Sequence, residues 1–167
     1  GLAFAHKYRG DQGVAVTMYD DVMANKGQLY EALNMAALWK LPAVFVCESR
    51  TRPPADLPGA MLYTRGDCVP GIRVLDGNNV LNVREAMRFA RQHALESGPI
   101  VLELDTWTLG FMTAWEAVFS KDPTAGWHSL KAKDALNRAK LYLREFEMMS
   151  EVEMNGYEKK LREQWRW

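Results

Sequence analysis

Residues able to do chemistry are few in this sequence and widely spaced. Its two cysteines, Cys47 and Cys68, cannot make a disulfide scaffold or supply a four-ligand zinc site. The three histidines, His6, His93 and His128, stand too far apart to read as a metal cluster. There is no Ser/His/Asp order, no P-loop and no glycine fingerprint of the dinucleotide type. An acidic pair, Asp20-Asp21, ends a β-branched run, and the segment Ser49 to Pro58 (SRTRPPADLP) holds two arginines and three prolines. Basic pairs such as Arg50/Arg52 and Lys131/Lys133 read as a solvated face and carry no specific nucleic-acid signal.

The elements that must position these residues follow from composition and pattern. The chain has 167 residues, of which 48% are apolar and 25% charged, enough apolar content to bury a core. Basic and acidic residues number 21 each, so no global basic field favours a polyelectrolyte role. No apolar run reaches the ~18 residues of a membrane span. Nine methionines and six tryptophans read as core and contact surface.

Gly1 to Tyr8 reads as the second half of a helix stopped at Arg9-Gly10-Asp11, as in a processed chain or one that has lost its front. Gly13 to Tyr19 (GVAVTMY) reads as a buried strand, and Gly27 to Trp39 as a helix that Pro42 prevents from continuing. Ala43 to Cys47 is a second buried strand, so strand, helix and strand imply a right-handed βαβ unit and a parallel sheet. Ser49 to Pro58 must be a loop. Gly71 to Leu75 is a third strand, Val80 to Leu95 a helix with Arg84, Arg88 and Arg91 outside, and Ile100 to Thr106 a fourth strand. These make an α/β domain over residues 1–109, a parallel sheet flanked by helices. Residues 110–167 form an irregular linker, Gly110 to Gly126, then an amphipathic helical tail. Leu136, Leu143, Phe146 and Met149 space one or two helices there, with a break at Asn155-Gly156. Tryptophans at the end of that tail are expected to dock, on the domain's own body or on a partner.

The segment Met18 to Pro42 (MYDDVMANKGQLYEALNMAALWKLP) resembles the alpha subunit of the pyruvate dehydrogenase decarboxylase component, a thiamine-diphosphate family. That family carries Tyr-Gly-Asp-Gly-Ala-Ala-Asn-Gln-Gly-Gln, then a helix ending Asn-Met-Ala-Ala-Leu-Trp-Lys-Leu-Pro. Asn34 to Pro42 repeats the ending unchanged. Gly1 to Gly10, Arg65 to Val74 (RGDCVPGIRV), Val83 to Ala90 (VREAMRFA) and Gly98 to Glu103 match as well. The resemblance covers about residues 1–107 and is loose beyond. It implies a shortened thiamine-diphosphate-binding fold, a tetramer of two alpha and two beta subunits in the mitochondrial matrix, and a cofactor between alpha and beta.

The resemblance also implies a site, and this sequence departs from it. In the family the Asp of Gly-Asp-Gly and the second residue of an Asn-Asn pair hold Mg²⁺ on the cofactor diphosphate, because Mg²⁺ demands octahedral oxygen ligands. Asp21 keeps the aspartate and is the only retained ligand position; Asn25 keeps the motif's asparagine. The glycines become Asp20, which adds negative charge beside a diphosphate, and Val22, whose branched side chain would crowd phosphates and resist positive φ. The Asn pair falls on Ser49 and Arg50, and a guanidinium has no lone pair for a metal. Arg50 beside Mg²⁺ would cost several kcal/mol at about 4 Å and an effective dielectric of about 20. It is expected to pair with Asp21 in the metal's place; the other reading has it bind a phosphate directly. The family's His-Gly-His-Ser falls on Gly110, Phe111, Met112 and Thr113, so neither histidine remains. A glycine-rich cofactor segment of the family would precede Gly1.

The expected function is therefore a non-catalytic pseudoenzyme, a structural subunit of a larger mitochondrial assembly, with Trp39, Trp165 and Trp167 as interface anchors. It needs no cofactor. Its partners are other protein subunits, a decarboxylase beta-like chain among them. The alternative is a divergent active alpha subunit, which would use thiamine diphosphate and Mg²⁺ in the oxidative decarboxylation of pyruvate or another 2-oxo acid. A third reading is a spoiler that occupies the true beta subunit.

Overall fold

The computed structural model describes residues 1–49, 61–64, 66, 68–106 and 134–165. They fall in two compact units, Gly1–Thr108 and Leu109–Trp167. The linker 110–126, with Gly110, Phe111, Met112 and Thr113, lies outside the described residues, as do Arg50 and Trp167.

The first unit is a four-stranded parallel sheet, in the order β1-β2-β4-β3. Its strands are β1 (Ala15–Asp20), β2 (Ala43–Ser49), β3 (Gly71–Val74) and β4 (Ile100–Asp105). Helices α1 (Leu2–Arg9) and α2 (Gly27–Leu38) cover one face and α3 (Val80–Glu96) the other. The central strands β2 and β4 are covered on both sides, so their first halves, AVFVC and IVL, run apolar without alternation, and the acids Glu103 and Asp105 of β4 are buried. Phe45 and Val101 pack against Ala3, Leu33 and Ala36, while Val44, Val46, Ile100, Leu102 and Leu104 pack against Ala90 and Ala94. Small alanines on α2 and α3 let both helices approach the sheet closely.

Each helix ends where the sequence chemistry dictates. Gly10 closes α1 in the left-handed region at φ 67°, its amide bonded to the Lys7 carbonyl. Asn79 caps α3, its side chain accepting from the Leu81 amide at 3.0 Å. Gly71 has a different reason to be glycine: a Cβ there would sit 2.0 Å from the Tyr63 carbonyl oxygen. The start of β3 thus passes directly beneath the 3-10 turn Leu62–Thr64.

Two expectations are corrected. Among the described residues the strand read as buried, Gly13 to Tyr19, is the outer one of the four, because β2 turns its other side to β4. Val16 is 50% and Met18 63% exposed. In the second unit the tail is two helices, α4 (Ala135–Glu145) and α5 (Glu151–Gln164), but their break falls at 146–150 and α5 runs straight through Asn155-Gly156. A capping box explains this: Ser150 accepts the Glu153 amide through Oγ, and Glu153 accepts the Ser150 amide at 2.9 Å. Those reciprocal bonds start a new helix strongly enough to offset the ~1 kcal/mol cost of an interior glycine. Ion pairs Lys140–Glu158 and Arg144–Glu151 join the two helices side by side, and Lys140 holds the Glu158 carboxyl below its ordinary range.

Candidate functional site

In a parallel sheet the carboxyl ends of the strands gather the turns, and ligand sites form there. At the end of β1 the chain enters a 3-10 turn, Met23–Asn25, anchored by Ala24, which is buried against Cys47 and Leu62. Asp20 works locally: its Oδ1 accepts the Met23 amide at 2.8 Å and caps the turn. The Asp21 side chain is half-buried, and its backbone oxygen accepts from Asn25 Nδ2 at 3.4 Å. Val22 has φ −69° and ψ −44°, ordinary right-handed helical values. The expected clash between a β-branched residue and a positive φ therefore does not arise; the turn has settled into a conformation that valine accepts.

At the end of β2, Ser49 is buried and its carbonyl accepts the Thr106 amide at 2.9 Å, which ties the ends of β2 and β4 together. The expected Asp21–Arg50 pair lies outside the described residues, because Arg50 does. Of the interface candidates, Trp39 is 43% exposed at the end of α2 and Trp165 is 69% exposed at the end of α5. Trp39 also makes an edge-on ring contact with Phe4 at 5.7 Å. Trp167 is outside the described residues.

A buried charged cluster lies on β3 and β4, at residues that no motif joins. Glu103 is fully buried and Asp105 nearly so, side by side on the α1–α2 face of β4. Glu103 Oε2 accepts the amides of Leu62 at 2.8 Å and Tyr63 at 3.0 Å, so it fastens the 3-10 turn to the sheet. Arg73 on β3 donates from Nε to Asp105 Oδ1 at 2.9 Å and stands 3.8 Å from Glu103 Oε1. The hydrogen bond to Asp105, with the charges of both carboxylates, raises the arginine's pKa further. Among the described residues, Glu103 Oε1 and Asp105 Oδ2 have no hydrogen-bond partner. The signal was in the sequence: IVLELDT places two acids two residues apart in a run otherwise apolar, and GIRV offers one arginine to match.

Among the described residues no group of three or more His, Cys, Asp or Glu side chains is placed to hold a metal. The end of β1 brings two adjacent carboxylates together, and Asp20 is engaged in capping the turn.

A parallel α/β sheet with helices on both faces, acidic and asparagine residues in the turn after β1, and a helical tail are consistent with a thiamine-diphosphate-type fold. Comparison with known proteins supplies the family. The model of the dehydrogenase E1 component matches residues 1–165, so the chain belongs to that family and is pyruvate dehydrogenase E1 alpha-like. The match takes in the tail, which motif reading found only loosely similar. The mitochondrial pyruvate dehydrogenase E1 component subunit alpha of Solanum tuberosum is 53% identical over 112 aligned positions, 64% of this chain and 28% of the relative. Subunit alpha-2 of Arabidopsis thaliana, also mitochondrial, is 37% identical over 172 positions, 98% of this chain and 43% of the relative. The somatic alpha form of Homo sapiens is 47% identical over 113 positions, 64% of this chain and 29% of the relative. The chain thus spans less than half the length of these relatives.

Proposed function

We propose that this chain is a non-catalytic derivative of the pyruvate dehydrogenase alpha subunit that serves as a structural subunit of a larger mitochondrial assembly. The observation that carries the reading is the fate of the motif after β1. The position of the first glycine holds Asp20, whose carboxylate caps the Met23–Asn25 turn. Arg50 at the second ligand position and the absence of histidine from residues 110–113 support it from the sequence. The scaffold around the site is kept: α2, the apolar central strands and the capped α3. Mitochondrial residence is proposed from the names of the relatives. The partners proposed are other protein subunits, a decarboxylase beta-like chain among them, met through exposed aromatic surface such as Trp39 and Trp165.

A second reading, a divergent active alpha subunit, is favoured by the retention of Asp21 and Asn25 and by a family match that runs to residue 165. Calorimetric titration with thiamine diphosphate and Mg²⁺, alone and with a pyruvate dehydrogenase beta subunit added, separates the two. Absence of binding up to about millimolar ligand is the expected result. Micromolar binding overturns the non-catalytic reading.

A further inference from the structure

The buried acids of β4 have more hydrogen-bonding capacity than their protein partners fill. Glu103 is fully buried, and the Asp105 side chain is 10% exposed. The two stand two residues apart on one strand, so their side chains share a face of the sheet. An ionised carboxylate is an acceptor only. Glu103 Oε2 takes the Leu62 and Tyr63 amides, and Asp105 Oδ1 takes Arg73 Nε. Among the described residues Glu103 Oε1 and Asp105 Oδ2 take nothing, although both atoms are shut off from solvent. Arg73 does not close the gap, because its Nε stands 3.8 Å from Glu103 Oε1, beyond hydrogen-bond reach. The surroundings are polar. In the register of the sheet Arg73 stands beside Glu103, and Ser49, itself buried, stands beside Asp105. Two charged acceptors left unmet in a core cost more free energy than the ordering of one water molecule does.

We propose that one internal water molecule is built into this layer and donates its two hydrogens to Glu103 Oε1 and Asp105 Oδ2. Water is the ligand these atoms select, because the two acceptors call for two donors and one water supplies both. A metal ion is a poorer match. Arg73 already sets its positive charge against both carboxylates, and among the described residues no third acid, histidine or cysteine joins them as a ligand. The position gives the water a structural role. Glu103 fastens the 3-10 turn Leu62–Thr64, and Asp105 fastens Arg73 of β3. The water joins these two fastenings into one continuous network from turn to strand. The proposal draws on no open surface and does not rest on the state of the cofactor site.

A crystal structure of the whole 167-residue chain, at a resolution that shows ordered solvent, is the direct test. The expected result is a single density peak about 2.5–3.0 Å from both Glu103 Oε1 and Asp105 Oδ2. The proposal is overturned if no peak lies between them, or if Arg73 Nη bonds directly to Glu103 Oε1. Direct contact of the two oxygens at about 2.5–2.7 Å, the mark of a shared proton, overturns it as well. So does a peak ringed by about six oxygens, the mark of a metal ion. In solution, oxygen-17 relaxation dispersion counts the long-lived internal waters. Glu103→Met removes one of the two acceptors and should lower that count by one relative to the parent, with the fold checked by circular dichroism. An equal count in a folded Glu103→Met variant overturns the proposal; if that variant does not fold, the crystal structure of the parent decides alone. None of these outcomes depends on thiamine diphosphate, so this inference and the functional reading fail separately.

Discussion

Arg73 donates to Asp105 at 2.9 Å across two neighbouring parallel strands, and this single bond holds a buried group of two acids and one base in place. Removing the arginine leaves Glu103 and Asp105 buried together without their cation, a situation that costs about 3–5 kcal/mol. Arg73→Met should therefore cost about that much in urea unfolding, whereas Arg73→Lys should recover part of the loss. A loss below about 1 kcal/mol for Arg73→Met would show that the cluster is not an ion pair holding the sheet. Glu103→Gln tests the other link. It keeps an acceptor for the Leu62 and Tyr63 amides, so it should be milder than Glu103→Ala, which strips both.

The acid sensitivity of the α1–β1 connection is set by Asp11. Its carboxylate accepts the Gly13 amide at 2.9 Å and meets Arg9 at 2.9 Å and His6 at 2.7 Å. The Gly13 amide is the largest cause, followed by Arg9, and together they pull the carboxyl from 3.8 to about 2. A lowered folded-state pKa means the contact stabilises the loop above the unfolded value and fades as pH falls through the folded one. The amide resonance of Gly13 should therefore hold constant down to about pH 3 and move with a midpoint near pH 2, while the stability the contact supplies is lost as pH falls from about 4 to about 2. Asp11→Asn should remove this transition, and a Gly13 titration centred near the ordinary aspartate value would contradict the assignment.

In the tail, Ser150→Ala removes the capping box and should cost about 1 kcal/mol, seen as lost helicity at 222 nm and an earlier thermal transition. Gly156→Ala should act in the opposite direction. A Cβ at Gly156 meets nothing within 4 Å, and the residue lies inside α5, so a gain of about 0.5–1 kcal/mol is expected. A destabilised Gly156→Ala would mean that the break read from Asn155-Gly156 exists in solution.

Most of the scaffold was legible because its signals are local. Gly10 stops α1, Pro42 follows the end of α2, and the apolar starts of β2 (AVFVC) and β4 (IVL) announce strands covered on both faces. What was not legible depends on long-range order. GVAVTMY looks as apolar as a central strand, and only the order β1-β2-β4-β3 makes it an edge. Asn155-Gly156 is a weak helix-forming pair, but the stronger signal, the capping box of Ser150 with Glu153, stands five residues before Asn155 and starts the helix that runs through it. At the candidate site, alignment with a motif directed attention to Asp21 and Arg50, whereas the ionic cluster couples residues 73, 103 and 105, which no motif joins.

Trp39 stands between two roles, interface anchor and internal clamp, and its surroundings make the two separable. It follows the last turn of α2, and its carbonyl accepts from Lys7 Nζ, which also reaches the Lys40 carbonyl at 3.4 Å. A lysine placed on these free carbonyls joins α1 to the negative end of the α2 dipole. The Trp39 ring meets Phe4 edge-on at 5.7 Å, and Phe4 in turn stacks on Tyr8 at 6.5 Å. Because 43% of Trp39 remains exposed, its truncation should cost less than a core aromatic, about 1–3 kcal/mol. In a double-mutant cycle with Phe4→Ala and Trp39→Ala the coupling should be about 0.5–1.5 kcal/mol, the worth of an aromatic pair beyond its buried area. Lys7→Met should cost about 1 kcal/mol more on its own and leave that coupling intact, since the amine acts on the backbone and not on the ring. Urea unfolding of the parent and seven variants, the three singles, three doubles and the triple, measures all three quantities. Strict additivity of Phe4→Ala and Trp39→Ala would mean that the Trp39 ring is not held by α1, leaving its exposed surface to account for an aromatic at this position.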